Sequence, residues 1–344
     1  MPASSDDEEA SYDEASDDEE TSDDEQPLEL NDDDSDDGGG TAPPRAVRKR
    51  LPKVSKFPAD RERERAWLEG QVDGCAHNLQ AALADLADLA PPPTITASMR
   101  DYQLAGLRWA VALHRCGLSG ILGDEMGLGK SLQAIAMLAH LKAADDAAGP
   151  FLVVAPLSTL AGWAQQFGDF APSVRVVTYS GAAAERAAAR ARLDNGGFDV
   201  LLCSYETLLA DAPLLCKRHR WSYAVIDEAH RLKNRQAVVY RCLLDECALG
   251  AVPRLLLTGT PVQQNADELF ALLHFVAPQV YDCAAGFADW LKADAAAAAA
   301  ASADADADAS RLWRPFMLRR LKADHLVLPP KRECEVHVPL TPLQ

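Results

Sequence analysis

The sequence has no long apolar segment. No run of apolar residues approaches the ~20 that a helix needs to cross a bilayer, and no signal peptide precedes the acidic start. The eight cysteines are scattered, with no C-x-x-C pair and no His/Cys cluster at the spacing of a zinc site. These absences argue against a membrane protein and against a structural zinc site. They predict reduced thiols in an intracellular protein.

Basic residues are absent from the first 40 positions, which hold 19 of the 52 carboxylates of the chain. The rest of the chain has 33 acidic and 34 basic residues, so the net charge of −18 comes from the first 40 positions. Because the segment has so little to bury, it predicts a disordered acidic tail over residues 1–44. A solubilising tail is favoured over a histone-binding tail, and a mimic of nucleic acid is a third alternative. Serines that suit an acidophilic kinase are Ser4, Ser5, Ser16 and Ser22.

The sign of the charge reverses over residues 45–60, where lysines and arginines are interrupted by prolines. This basic linker suits a nuclear-import signal or a phosphate-contacting strap, and a plain solvated linker is an equal alternative. Residues 61–92 predict a helical segment, because leucines recur at spacings of three and four before Pro91. We expect the leucine stripe to be a packing face.

Strand and helix patterns alternate over residues 95–325, which predicts an α/β domain built on a parallel sheet with helices on both faces. Ligands of such sheets bind at the carboxyl ends of the strands. The alanine-rich residues 293–310 are of low complexity and predict a surface insertion without function. The predicted strands are Ile121–Leu122, Phe151–Ala155, Arg175–Tyr179, Asp199–Cys203, Tyr223–Asp227 and Arg254–Thr258.

Residues 119–131 place a glycine-rich bend between a short strand and the start of a helix. Free N–H groups in such a loop, together with the helix dipole, favour a bound phosphate. Gly127 and Gly129 let the backbone approach phosphate oxygens without a side chain in the way. We expect Lys130 to reach the β- and γ-phosphates of a nucleotide and the Ser131 hydroxyl to hold Mg²⁺.

Asp227 and Glu228 follow the apolar strand Tyr223–Ile226. Phosphoryl transfer needs a carboxylate near the metal and a group that positions the attacking water. Adjacent acids at a strand end can divide these roles, because their side chains point in different directions. We expect Asp227 to serve Mg²⁺ beside Ser131 and Glu228 to orient the water. A strand that ends in an ordinary charged turn is the alternative.

Seven motifs stand in one order, and together they resemble the helicase-superfamily ATPase lobe of the Swi/Snf-like chromatin remodellers. The resemblance covers residues 95–344 and implies a RecA-like fold, the first of two helicase lobes. At Asp124, where the general phosphate loop has glycine, the family also has this acid. The motifs are MRDYQ at 99–103, GDEMGLGKS at 123–131, VAPLSTL at 154–160, SYE at 204–206, DEAHRLKN at 227–234, LTGTP at 257–261 and MLRRLKAD at 317–324.

The resemblance implies a role for each matching residue. Gln103 would contact adenine, and Lys130 and Glu228 would be catalytic. The other nucleotide-binding residues would be Asp124, Gly127, Leu128, Gly129 and Ser131, and Mg²⁺ would be held by Ser131 and Asp227. The residues that couple the nucleotide to DNA would be His230, Thr258 and Thr260. Those that face the DNA backbone would be Pro156, Ser158, Thr159 and Trp163. Without the family, Trp163 and Phe167 are simply core residues four apart on a helix.

Family members hydrolyse ATP between two lobes, and arginines of the second lobe complete the site. Such an arginine finger can be worth ~10³–10⁵ in rate. Residues 326–344 resemble the start of a second lobe, so we expect a truncated chain that is inactive or weak by itself.

The leading hypothesis is the ATP-binding lobe of a nuclear, DNA-dependent ATPase. With ATP, Mg²⁺ and a second lobe in cis, it would move double-stranded DNA or nucleosomes. The acidic tail would add a contact with histones, and no membrane would be involved. The alternatives are a single-lobe module that binds ATP or histones without turnover, and a DNA-repair translocase of the same superfamily.

Overall fold

The structure, a computed structural model, describes residues 61–144, 149–259, 266–282, 287–292 and 313–326. The predicted acidic tail, the basic linker, the insertion at 293–310 and residues 327–344 lie outside the described residues. Thr260 lies outside them as well, so its predicted role stays a prediction.

Seven parallel strands form one sheet in the order β3-β4-β2-β5-β6-β1-β7. The sequence prediction of a parallel α/β sheet is confirmed, and each of the six predicted strands is present to within one residue at either end. β7 was not predicted, because two residues are too few to show a pattern. The strands are β1 Gly120–Leu122, β2 Phe151–Ala155, β3 Val176–Tyr179, β4 Val200–Ser204, β5 Tyr223–Ile226, β6 Arg254–Leu257 and β7 Met317–Leu318.

Both faces of the sheet are covered. Every residue of β1, β2, β4, β5 and β6 is buried, although successive side chains point to opposite faces. A parallel strand in this position is therefore a continuous apolar run, as in Phe151–Ala155. β3, at one edge of the sheet, alternates between buried and half-buried residues.

Helices fill the crossover connections between the parallel strands. α2 packs against α3, and α3 packs against α4. α3 is buried from Leu132 to Ala139, so it lies inside the domain rather than on its surface. The helices are α1 Arg61–Asp85, α2 Asp101–Arg115, α3 Lys130–Ala143, α4 Leu160–Phe170, α5 Ala183–Asp194, α6 Tyr205–Arg218, α7 Val238–Arg241 and α8 Ala266–Val276. Residues 287–292 and Lys322–His325 are also helical.

α1 packs through an apolar stripe. Leu68, Val72, Cys75 and Leu79 are buried at spacings of four, three and four residues, which places them on one side of the helix. They face α2 and the 3₁₀ turn Arg314–Phe316. The expected leucine stripe also packs on the core, since Leu79 and Leu86 are buried and Leu83 and Leu89 are partly buried against it, although α1 ends at Asp85. In the part of the chain that the structure describes, no helix is long and apolar enough to cross a membrane.

One prediction about the cysteines is wrong. The structure joins Cys216 of α6 to Cys247, which follows a π-helical turn at Cys242–Glu246, so this pair is not reduced. The two residues are 31 positions apart, and their Cα atoms lie 4.7 Å from each other. The packing of α6 against the π-helical turn brings them together, and their spacing in the sequence did not indicate it.

Candidate active site

The carboxyl ends of β1, β6 and β5 lie side by side, because β6 separates the other two strands. The glycine-rich loop follows β1, Thr258 and Gly259 follow β6, and Asp227 and Glu228 follow β5. The backbone N–H of Thr258 donates to the carbonyl of Leu122, 3.1 Å away, which ties β6 to the beginning of the loop. The sheet thus brings together three motifs that span more than a hundred positions of the chain.

The loop has the backbone that its glycines predict. Gly127 and Gly129 have φ angles of 87° and 79°, in the left-handed region that favours glycine, and α3 begins at Lys130. A Cβ on Gly129 would collide with the side-chain amide of Gln103. Gln103 is buried, and its Nε2 donates to the carbonyl of Leu128 over 3.1 Å. Gln103 therefore lies against the glycine-rich loop.

Lys130 lies within this loop. Its Nζ donates to the carbonyl of Asp124 at 2.8 Å and lies 3.5 Å from that of Glu125. Burial lowers the pKa of Lys130, and the carboxylates of Asp124, Glu228 and Asp227 oppose that shift. A Cβ built on Gly259 would lie 3.4 Å from the same Nζ. Residues that follow all three strands thus lie near the ammonium group of Lys130.

The Asp124 side chain lies inside the domain. Its carboxylate is fully buried and is held by Arg320, whose Nε donates to Oδ1 over 2.9 Å while its second guanidinium nitrogen bonds Oδ2. Gln133 of α3 donates to the same Oδ2 at 3.3 Å. This carboxylate therefore fixes the loop rather than facing a nucleotide, because a negative charge in the interior requires a cation beside it.

The MLRRLKAD motif, which is far along the chain from the glycine-rich loop, forms hydrogen bonds with that loop. The family resemblance assigned no role to residues of this motif. We call residues 317–325 the return segment. The N–H groups of Gly123 and Glu125 donate to the carbonyls of Leu318 and Arg320, at 2.8 and 3.0 Å. The Glu125 carboxylate accepts from the backbone N–H of Lys322 at 2.7 Å. A Cβ on Gly127 would lie 3.2 Å from the Lys322 Nζ, so a second lysine stands beside the glycine-rich loop.

Asp227 is held by three different elements. Its Oδ2 accepts from the indole Nε1–H of Trp163, and its Oδ1 accepts from the backbone N–H of Glu228, both at 2.9 Å. The Tyr205 hydroxyl donates to its backbone carbonyl at 2.5 Å. Burial raises the pKa of Asp227, and the hydrogen bonds from Trp163 and Glu228 oppose that shift. The carboxylate has one fixed orientation.

Glu228 has an unusual backbone. Its φ of 50° lies in the left-handed region, which a residue with a side chain adopts only under strain. The strand ends at Ile226, and a 3₁₀ turn begins at Ala229, so this residue makes the bend between them. Its Oε2 lies 3.2 Å from Nδ1 of His230, and both side chains are partly exposed. Strain of this kind is frequent where a side chain must be directed at a reacting group.

The SYE and DEAHRLKN motifs are joined directly. The guanidinium of Arg231 lies 4.4 Å from the centre of the Tyr205 ring, and it donates to the Glu206 carboxylate at 2.7 Å. Since the Tyr205 hydroxyl also bonds the Asp227 carbonyl, α6 holds the backbone of the acidic pair. Both motifs contributed to the family resemblance, but nothing in their sequence indicates this contact.

The predicted DNA-facing residues divide into two groups. Pro156, Ser158 and Thr159 lie around the 3₁₀ turn Leu157–Thr159 after β2, where Ser158 is exposed and Pro156 and Thr159 are half-buried. Trp163 is 2% exposed and lies in the core beside Phe167. The prediction that Trp163 faces DNA is therefore wrong in this structure, and the alternative of a core residue is confirmed. Its N–H points to Asp227 because α4 packs against the sheet at this edge.

The donor set suits a magnesium ion shared with a nucleotide. Among the described residues, no group of three or more His, Cys, Asp or Glu side chains could hold a metal ion. Mg²⁺ is commonly held by one or two carboxylates together with substrate phosphates and waters. Asp227 supplies a carboxylate with one hydrogen bond on each oxygen, and Ser131 supplies a hydroxyl on the first turn of α3. These oxygen donors fit Mg²⁺, with the loop beside them for phosphates.

A parallel sheet, a glycine-rich loop at the start of a helix and an acidic pair after a neighbouring strand define a RecA-like α/β domain. The chain belongs to the SNF2-related family, whose description is "SNF2-related domain" and whose profile matches residues 102–344. The family resemblance drawn from the seven motifs is confirmed.

Several known proteins are similar to this chain. It is 39% identical over 267 residues to "Chromatin-remodeling ATPase INO80" of Pyricularia oryzae, a match that covers 74% of this chain and 14% of that protein. It is 37% identical over 287 residues to "ISWI chromatin-remodeling complex ATPase CHR11" of Arabidopsis thaliana, over 83% of this chain and 26% of that protein. The chain therefore spans a minor part of the length of these relatives.

Solved structures agree with the family. The SWI2/SNF2 ATPase core of Sulfolobus solfataricus in complex with dsDNA is 29% identical, with a TM-score of 0.54. The match covers 68% of this chain and 46% of that one. The same core solved as "Sulfolobus solfataricus SWI2/SNF2 ATPase core domain" matches with a TM-score of 0.50 at 30% identity.

Proposed function

We propose that this chain is the ATP-binding lobe of a DNA-dependent ATPase that moves double-stranded DNA or nucleosomes. The observation that carries the proposal is the strand order β5-β6-β1, which puts the loop with Lys130 and the pair Asp227 and Glu228 at one edge of the sheet. The named activity of the curated relatives, chromatin remodelling by an ATPase, supports the same reaction.

The nucleotide phosphates lie on the glycine-rich loop in this proposal. Backbone N–H groups of the loop and of the first turn of α3 point at the anion, and Lys130 adds a positive charge. On nucleotide binding the Lys130 Nζ exchanges the carbonyls of Asp124 and Glu125, which it contacts now, for phosphate oxygens. Gln103, held against Leu128 beside the loop, is placed to contact the adenine.

The acidic pair divides the remaining work. Asp227 and Ser131 would hold Mg²⁺, which would supply positive charge beside the phosphates. Glu228 accepts a hydrogen bond from the attacking water and orients it in line with the bond that breaks. The two carboxylates have different neighbours, because that of Asp227 accepts from Trp163 and the Glu228 backbone whereas that of Glu228 lies beside His230.

The DNA side of the lobe is the turn Leu157–Thr159. Ser158 is exposed there, and its hydroxyl suits a phosphate of the DNA backbone, a contact that fixes position without reading sequence. The Sulfolobus core, which is of this type, was solved in complex with dsDNA. His230, Thr258 and Thr260 couple the nucleotide to this side in the proposal, and a second lobe supplied in cis provides the arginines for turnover. A nuclear location follows from action on chromatin.

Two substitutions test the proposal. Lys130→Ala removes the charge that binds the phosphates, and we expect ATP binding to be lost and DNA-stimulated hydrolysis to fall by about 10²–10³-fold. Glu228→Gln keeps the size of the side chain, but its neutral amide accepts a weaker hydrogen bond from water and cannot take the proton, so hydrolysis falls by about 10²–10⁴-fold while ATP still binds. Binding is measured by calorimetry on this chain, and hydrolysis on the protein that carries both lobes, with and without duplex DNA.

Glu69→Gln is the matched control. Glu69 lies on α1, where it pairs with Arg65 at 2.8 Å, and its substitution should change neither quantity. Unchanged hydrolysis in both active-site variants would refute the proposal. ATP binding without any turnover in the two-lobed protein would instead support a module that binds ATP without hydrolysing it.

A further inference from the structure

The indole of Trp163 connects α4 to the carboxylate of Asp227. Its Nε1–H donates to Oδ2 over 2.9 Å, and the Glu228 backbone N–H donates to the other oxygen over the same distance. Trp163 is 2% exposed, and its ring centre lies 6.1 Å from that of Phe167. The indole therefore has a fixed place, and one donor on each oxygen fixes the plane of the carboxylate.

A buried tryptophan of this protein does not require a hydrogen-bond acceptor for its indole N–H. Trp221 is 6% exposed, and its Nε1 has no hydrogen-bond partner among the described residues. Trp163 and Asp227 are 64 positions apart, so their contact depends on how α4 packs on the sheet, where it contacts β3 and β4. Outer partners that orient a metal ligand are a general feature of metal sites, and their loss lowers metal affinity.

We propose that Trp163 is a positioning residue that holds the Asp227 carboxylate in the orientation needed for Mg²⁺–nucleotide binding. The inference rests on the proposed function, since Asp227 is a Mg²⁺ ligand only within it. α4 begins at Leu160, directly after the turn Leu157–Thr159 that is proposed to face DNA. The first turn of α4 thus connects that turn to the Asp227 carboxylate through the Trp163 side chain.

The test is Trp163→Phe in this chain, which retains an aromatic ring in the core and removes the N–H donor. ATP binding is measured by calorimetry in EDTA and over a titration with Mg²⁺. We expect the same affinity in EDTA as for the unsubstituted chain, and an apparent Mg²⁺ affinity about 10–100-fold weaker. Because binding is the readout, the result does not depend on turnover.

Trp221→Phe is the matched control, since it removes the same N–H from a buried indole that has no hydrogen-bond partner among the described residues. We expect its Mg²⁺ titration to equal that of the unsubstituted chain. An unchanged Mg²⁺ titration in Trp163→Phe would overturn the inference, and so would an equal loss in both variants. If ATP binding by the unsubstituted chain does not respond to Mg²⁺, the proposed function itself fails.

A second measurement needs no substitution and covers the case in which Trp163→Phe does not fold. The indole N–H resonance of Trp163 is followed by ¹⁵N NMR, with its assignment from contacts to Phe167. In the presence of ATP, Mg²⁺ should shift this resonance and leave that of Trp221 in place. The inference would be overturned if Mg²⁺ strengthened ATP binding but did not shift the Trp163 resonance.

Discussion

Asp124 and Arg320 pair across 196 positions of the chain, and their pairing anchors the phosphate loop. Asp124 is fully buried, and the Arg320 side chain is 10% exposed. Arg320 also donates to Gln133 at 2.7 Å and to the carbonyl of Tyr102. The loop therefore depends on a buried charge that is neutralised by a cation from a distant part of the chain.

The first stability prediction concerns this pair. Arg320→Met leaves the Asp124 carboxylate buried and without its cation, so we expect the free energy of unfolding to fall by about 3–5 kcal/mol. Asp124→Asn in the same chain removes the stranded charge and should restore part of that loss. Urea unfolding of the single and double variants forms a double-mutant cycle. Strictly additive losses would show that the two side chains do not interact.

His274 predicts a pH dependence. It is 8% exposed, contacts the Tyr240 hydroxyl at 2.7 Å, and lies in the field of Arg235, Asp282 and Arg254. Burial lowers its pKa from 6.5 to about 4. The unfolded chain therefore binds a proton between these values and the folded chain does not, so folding stability falls as the pH drops through that window.

The measurement is unfolding at about pH 7 and about pH 5, where His274 should account for a stability loss of about 2 kcal/mol. His274→Asn cannot titrate and should lose less stability than the unsubstituted chain by that amount. His77→Asn, at an exposed histidine of α1, should behave like the unsubstituted chain. Equal pH dependence in all three proteins would contradict the prediction.

The glycine-rich loop is the element whose geometry the sequence predicted best. Left-handed φ angles at Gly127 and Gly129 follow from the need for close backbone approach, and glycine is the residue that permits them. The contact with Gln103 could not be predicted in the same way. It depends on α2 lying beside α3, which no spacing in the sequence expresses.

Gly129→Ala and Gly117→Ala separate the two effects. Both glycines have left-handed φ angles, 79° and 70°, but a Cβ on Gly117 meets nothing within 4 Å, while one on Gly129 collides with Gln103. We expect Gly117→Ala to cost about 1–2 kcal/mol of stability from backbone strain alone and to leave ATP binding intact. Gly129→Ala should cost more and weaken ATP binding, measured by urea unfolding and calorimetry. Equal effects of the two substitutions would contradict this.

At the scale of the whole molecule, charge is divided along the chain. Residues 1–40 contain 19 carboxylates and no lysine or arginine, whereas the rest of the chain has 33 acidic and 34 basic residues. Long-range charge changes the rate and affinity of association with DNA more than it changes a fold. The acidic residues should therefore oppose binding to a polyanion.

Deleting residues 1–44 tests this. We expect tighter binding to a DNA duplex at low salt, and a smaller difference at high salt, where the screening length is shorter. Fluorescence anisotropy of a labelled duplex measures both. A chain with the tail's Asp and Glu changed to Asn and Gln keeps its length and should behave like the deletion. Binding that is independent of tail charge at low salt would contradict the prediction.

The sequence by itself determined the parallel sheet, the phosphate loop and the position of the acidic pair. Each depends on local requirements: continuous apolar runs for buried strands, glycine for left-handed backbone, and acids directly after a strand. The short strand β7 was not predicted, because a hydrophobic pattern can be recognised only over several residues.

Only the tertiary structure decided which side chains support the site. Arg320 reaches Asp124, Lys322 lies beside Gly127, Trp163 donates to Asp227, and Cys216 pairs with Cys247. The strand order places β1 between β6 and β7, which brings the return segment to the loop from almost two hundred positions away. The physical reason is that such partners are fixed by how the strands and helices pack, whereas hydrophobic period and turn chemistry describe only the nearest few residues.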